Sequence, residues 1–98
     1  MLTRARAHAA AGGLAALSLF ADRLEGLAAL ATGDPVVGAQ RLLTARDGLA
    51  TLGAAFERAR TEVHLSRAFR ELGRADEAAD CEGKAVAEFE RLGVVRPW

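Results

Sequence analysis

Tyrosine is absent from this chain, tryptophan occurs once, and four phenylalanines complete the aromatic set. That scarcity disfavours a sheet held by aromatic and β-branched cross-strand pairs. It also removes the interleaved aromatics on which single-stranded nucleic acid stacks. Only two prolines interrupt 98 residues, so long helices are permitted. The lone cysteine, Cys81, excludes an internal disulfide and suits a reducing cytoplasm. Net charge is missing too, because 13 basic and 13 acidic residues cancel. No field of one sign draws the chain to nucleic acid, an anionic membrane or acidic substrates.

A long apolar run is lacking as well. Arg4 and Arg6 precede the mostly apolar stretch Ala9 to Ala21, which has the outline of a secretory leader, but Asp22 and Arg23 end it too early for a membrane span. No clear small-x-small cleavage site stands before Asp22. Leu17, Phe20, Leu24, Leu27 and Ala31 step by three and four across the charges, as one face of a continuing helix does. A cytoplasmic protein without a membrane segment is expected.

What the chain has is alanine, glycine punctuation and an internal echo. Hydrophobic residues make up 51% of it, and the alanine content favours close-packed helices. The segment Gly33 to Gly53 returns forty positions later as Gly73 to Gly93. Ala39 then aligns with Ala79, Ala45 with Ala85, Leu52 with Leu92, and Leu49 with Phe89. Repetition on helical spacing predicts stacked helical hairpins that present a surface. Glycines 33, 53, 73 and 93 are placed to end helices in the left-handed conformation. Asp34-Pro35 supplies an N-cap followed by a first-turn proline.

These signals predict about five helices, over 3–13, 15–32, 35–52, 55–72 and 75–92, the first two separated or merely weakened at Gly12-Gly13. The organisation expected is one all-α domain. It has a leading segment 1–14, a degenerate repeat 15–53, a clearer repeat 54–93 and a tail 94–98 in which Trp98 packs back on a helix end. Helix 35–52 carries Leu42, Ala45, Leu49 and Leu52 on one stripe, continued by Phe56. Its counterpart carries Ala78, Cys81, Ala85, Phe89 and Leu92. Gly26, Gly38, Gly48 and Gly83 fall inside helices, where each costs about 1 kcal/mol relative to alanine. Close helix approach accounts for such residues, although Gly48 and Gly83 fit tolerated defects on solvated faces equally well.

Leu65-Ser66, Phe69, Leu72-Gly73, Glu77-Ala78 and Ala85 together resemble the tetratricopeptide repeat pattern, with a half-match upstream at Leu27, Leu30, Gly33 and Ala45. The turn Glu71 to Ala78 and the ending Phe89 to Gly93 are similar to the divergent repeats of large bacterial LuxR-type ATP-binding regulators. The resemblance implies a short right-handed solenoid of antiparallel hairpins, and a protein-interaction or signal-sensing role. The forty-residue period exceeds the family's thirty-four and also suits HEAT-like hairpins. Glu82 stands where the family carries a large apolar residue, and Arg41 stands opposite Cys81. Neither an ATPase nor a DNA-reading domain is visible.

Sites for chemistry are sparse. Gly33 to Gly38 has the glycine spacing of a phosphate-binding loop but continues Ala39-Gln40, without the lysine and hydroxyl that reach phosphate and magnesium. His64 and Cys81 flank Gly73 at similar distances, so a hairpin could bring them level, yet neither a third metal ligand nor an orienting partner accompanies them. Cys81 falls on an apolar stripe, as a small hydrophobe does. Glu57, Glu62 and Glu71 have arginines such as Arg58 and Arg67 at nearby helical positions and read as surface ion pairs. No cofactor, metal site or catalytic residue is expected.

Arg58, Arg60, Arg67, Arg70 and Arg74 crowd one helix and its turn, facing Asp76, Glu77, Asp80, Glu82, Glu88 and Glu90 on the next. Charge pairing across the hairpin is the expected use. Arg60, Arg67, Arg70 and Arg74 are also the candidate partner-binding residues, for an acidic peptide before nucleic acid. A stack of two and a half hairpins exposes apolar end faces, so a homodimer or docking onto a larger protein is expected.

Overall fold

A computed structural model describes residues 2–94, with side chains from residue 16 onward. Among the described residues it is all helical: α1 (Leu2–Ala31), α2 (Pro35–Thr51), α3 (Ala55–Glu71) and α4 (Ala75–Leu92). Of the two readings at Gly12-Gly13 the continuous one holds, since α1 runs unbroken for 30 residues and the helices number four where about five were expected. Paired glycines lower helix propensity but leave every backbone hydrogen bond available. Trp98 lies outside the described residues.

The three inter-helix turns and the end of α4 are copies of one device. Gly33, Gly53, Gly73 and Gly93, at twenty-residue intervals, have φ of 84°, 72°, 74° and 72°. In each case the amide after the glycine donates to the carbonyl five residues back: Asp34 to Ala29, Ala54 to Leu49, Arg74 to Phe69 and Val94 to Phe89. The glycine amide itself donates to the carbonyl three residues back. This is a Schellman ending, which a Cβ at the left-handed position would strain. The helix starts differ from one another. Asp34 Oδ1 accepts from the Val37 amide at 3.2 Å ahead of Pro35, whereas Ala54 and Arg74 provide no side-chain cap.

Each helix packs chiefly on its neighbours in sequence, with α1 touching α3 slightly. The central core joins Leu30, Ala39, Leu42, Leu65, Ala68, Phe69, Ala78 and Cys81. A second cluster joins Ala59, Ala85 and Phe89, with Val63 and Val94 against it. Phe56 meets Phe89 edge to face at 5.6 Å between ring centres. The stripes expected on α2 and α4 are buried at Leu42, Ala45, Leu49, Ala78, Cys81, Ala85 and Phe89, but Leu52, Phe56 and Leu92 stay partly in solvent.

The apolar face of α1 divides. Leu30 and Gly26 are buried, Phe20 and Leu27 are half-buried, and Leu17, Leu24 and Ala31 point outward. The reason is the contact with α2. A Cβ at Gly26 would lie 2.8 Å from Leu42 Cγ and 3.1 Å from the Gly38 carbonyl, and one at Gly38 would lie 2.8 Å from Leu30 Cγ. The two glycines let the backbones approach, and that contact decides which side of α1 faces in. Gly48 sits under Leu19, while nothing lies near Gly83. Of these two interior glycines, one is a packing site and the other an open surface position. Among the described residues no helix is long and apolar enough to cross a membrane.

Candidate functional site

The cations of α3 point along a face that also holds His64. An open cleft of about 310 Å³ is lined by Val63, His64, Ser66, Arg67, Arg70 and Glu82. Periodicity explains the arrangement: Leu65, Ala68 and Phe69 turn into the core, so Arg60, Arg67 and Arg70 project from the opposite side of the helix. Arg74 follows in the turn and lies over the Phe69 ring at 5.5 Å. All four candidate partner-binding arginines therefore reach the surface of one hairpin.

Each of them already has a carboxylate. Arg60 lies 4.0 Å from Glu57, Arg67 3.6 Å from Glu71, and Arg74 2.7 Å from Glu77, while Arg70 reaches across to Glu82 on α4. The charge segregation thus resolves as pairing, with Arg58 to Glu88 a second link between α3 and α4. Exposed pairs of this kind contribute under about 1 kcal/mol each. They are exchangeable, and Arg67 is the most exposed of the four, its side chain 65% in solvent.

Burial holds the His64 imidazole below its ordinary pKa, and the surrounding cations Arg23, Arg60 and Arg67 push in the same direction. Both effects favour the neutral imidazole, burial first and the neighbouring cations second. Arg23 comes from α1 and is bonded to Glu57, so α1 and α3 both contribute to those cations.

The structure does not join His64 to Cys81. Cys81 lies in the central core, and no hydrogen bond links it to His64 among the described residues. Its neighbour is Glu62. Burial first, and then the Glu62 carboxylate, pushes the Cys81 thiol up to about 12, which suppresses the thiolate that nucleophilic or metal chemistry requires. No group of three or more histidine, cysteine or acidic side chains able to hold a metal occurs among the described residues.

Glu62 departs from its expected surface role. Glu71 forms the anticipated exposed pair with Arg67, and Glu57 is half-buried and pairs with Arg23 and Arg60, but Glu62 is 3% exposed. Its Oε1 lies 3.6 Å from Arg46 Nε, and its Oε2 is buried without a hydrogen-bond partner. Arg46 also bonds Asp47 at 3.0 Å. A buried carboxylate thus sits among α2, α3 and α4. The available signal was position: Glu62 falls twenty residues after Leu42, on the core register of the repeated helix length.

The phosphate-loop glycines have structural employment instead, Gly33 ending α1 and Gly38 meeting Gly26. Neither a protein-family model, a curated protein nor a solved structure matches the chain.

Proposed function

We propose that this chain is a non-catalytic protein-interaction module built from tetratricopeptide-like helical hairpins, and that it receives an acidic peptide segment on the α3 face. The observation that carries the reading is the repetition of one helix length and one glycine ending at twenty-residue intervals, with each helix packed mainly on its sequence neighbours. Such stacks devote sequence to a continuous surface instead of an enclosed pocket. On that surface the cleft beside His64 offers Arg67 and Arg70 against one carboxylate, Glu82. Because the arginine pairs are exposed, an incoming carboxylate competes with Glu71 and Glu82 at little cost. The resemblance to repeats of bacterial LuxR-type regulators extends the proposal to a sensing or regulatory piece of such a system, in the cytoplasm.

A fluorescein-labelled oligoglutamate peptide tests the site. Binding followed by anisotropy should weaken as salt rises, weaken at least about tenfold in Arg67→Glu/Arg70→Glu, and stay unchanged in Lys84→Glu on α4. Absence of binding, or equal loss in both variants, overturns the assignment. A short DNA duplex in the same assay provides the contrast: tight, salt-sensitive binding lost in the arginine variant would move the reading to nucleic acid.

A further inference from the structure

The two ends of the stack differ in kind. On α4 the exposed positions are the charged Asp76, Glu77, Asp80, Lys84, Glu90 and Arg91 beside Ala75, Ala79, Gly83, Ala87 and Leu92, so charge predominates. That is the polar outer surface a terminal helix needs. On α1 the outward positions from residue 17 to 31 are Leu17, Ser18, Ala21, Leu24, Glu25, Ala28 and Ala31. Glu25 is the one charged residue among them, and its carboxylate lies 3.4 Å from Arg41. Leu17 and Leu24 are 65% and 66% exposed, in a chain of which 27% is charged. One end is finished and the other is not.

We infer that α1 is the interface of a homodimer, in which two copies pair their α1 helices antiparallel across a twofold axis. The spacing 17, 21, 24, 28, 31 alternates steps of four and three, the repeat that keeps one seam against a partner helix. From 17 to 28 in that seam large and small side chains alternate, Leu17, Ala21, Leu24 and Ala28, so that this stretch complements itself only when reversed. A twofold that sets Leu17 on Ala28 of the second copy also sets Leu24 on Ala21. Every leucine then rests on an alanine, and the helices can approach closely.

The alternative of head-to-tail stacking would press this apolar seam onto the charged face of α4 and take its ion pairs, Lys84 with Asp80 at 3.0 Å and Arg74 with Glu77 at 2.7 Å, out of water with no new partner. A twofold contact avoids that and closes the assembly, with a polar α4 at both outer ends. This inference uses the α1 face and is independent of the peptide reading of α3.

The test is sedimentation equilibrium of the full chain from low to high micromolar concentration, with helix content followed by circular dichroism. The parent should be dimeric, and Leu17→Glu/Leu24→Glu monomeric with helix content retained, since both side chains already face solvent. The alternation of sizes makes a sharper demand. Ala21→Leu alone, although it makes the face more apolar, should raise the dimer dissociation constant at least about tenfold by setting leucine on leucine. Leu24→Ala alone should raise it too, and Leu24→Ala/Ala21→Leu should restore it. A monomeric parent throughout, a dimer indifferent to the glutamates, or tighter association in Ala21→Leu overturns the proposal. Oligoglutamate binding by the monomeric double glutamate variant reports separately on the α3 cleft.

Discussion

His64 and Glu62 stand two residues apart on α3, and their surroundings make them behave oppositely. His64 is half-buried among cations, so its folded-state pKa lies below the value of about 6.5 that it takes when unfolded. Between those values the unfolded chain binds more protons than the folded one. The stability this group contributes is therefore present above about pH 6.5 and lost as pH falls toward its folded pKa. Urea midpoints between about pH 7 and 5 should fall in the parent and fall less in His64→Gln; identical slopes would show that His64 does not govern this window.

Glu62 is a question of pairing. Removing Arg46 strands a buried carboxylate, and Arg46→Met should cost about 2 kcal/mol, below the usual buried-pair figure because Arg46 is partly exposed. Adding Glu62→Leu, which repeats the residue type found twenty positions earlier at Leu42, should recover the loss to within about 1 kcal/mol. A denaturant-based double-mutant cycle reads both effects. No local pattern marks Glu62 as buried, since arginines surround it in sequence as they surround Glu57 and Glu71. The packing of α2 and α4 around that face of α3 makes the difference.

At the scale of the helix, the ends were legible and the faces only partly so. A glycine that must adopt positive φ to satisfy the last carbonyls is a local requirement, and Gly33, Gly53, Gly73 and Gly93 all meet it. Interior glycines carry no such local signature, because their role depends on what passes beside them. Gly38→Ala pushes a methyl into Leu30 and toward the Gly26 carbonyl, and should cost about 1–3 kcal/mol. Gly83→Ala meets nothing within 4 Å and should stabilise by about 1 kcal/mol. Thermal unfolding with the shifts in opposite directions is the expected outcome. Loss of stability in Gly83→Ala would mean that this face is covered.

For the whole molecule, each helix packs mainly on its neighbours in sequence, so cohesion passes from each helix to the next. If α1 pairs across a twofold, unfolding midpoints rise with protein concentration, because only the folded state forms the dimer. The all-α class, three of the helix spans, the Asp34-Pro35 start and the four glycine endings follow from propensity and from hydrogen bonds within a few residues, so composition and spacing suffice to predict them. Other features depend on partners distant in the chain. The outward turn of Leu17 and Leu24 follows from the Gly26–Gly38 contact, and the separation of Cys81 from His64 from the core around Leu42 and Phe69. The arginines meet carboxylates on their own helix and on α4. Each of these is a choice between two faces of an already formed helix, and only the burial energy of the assembled stack distinguishes them.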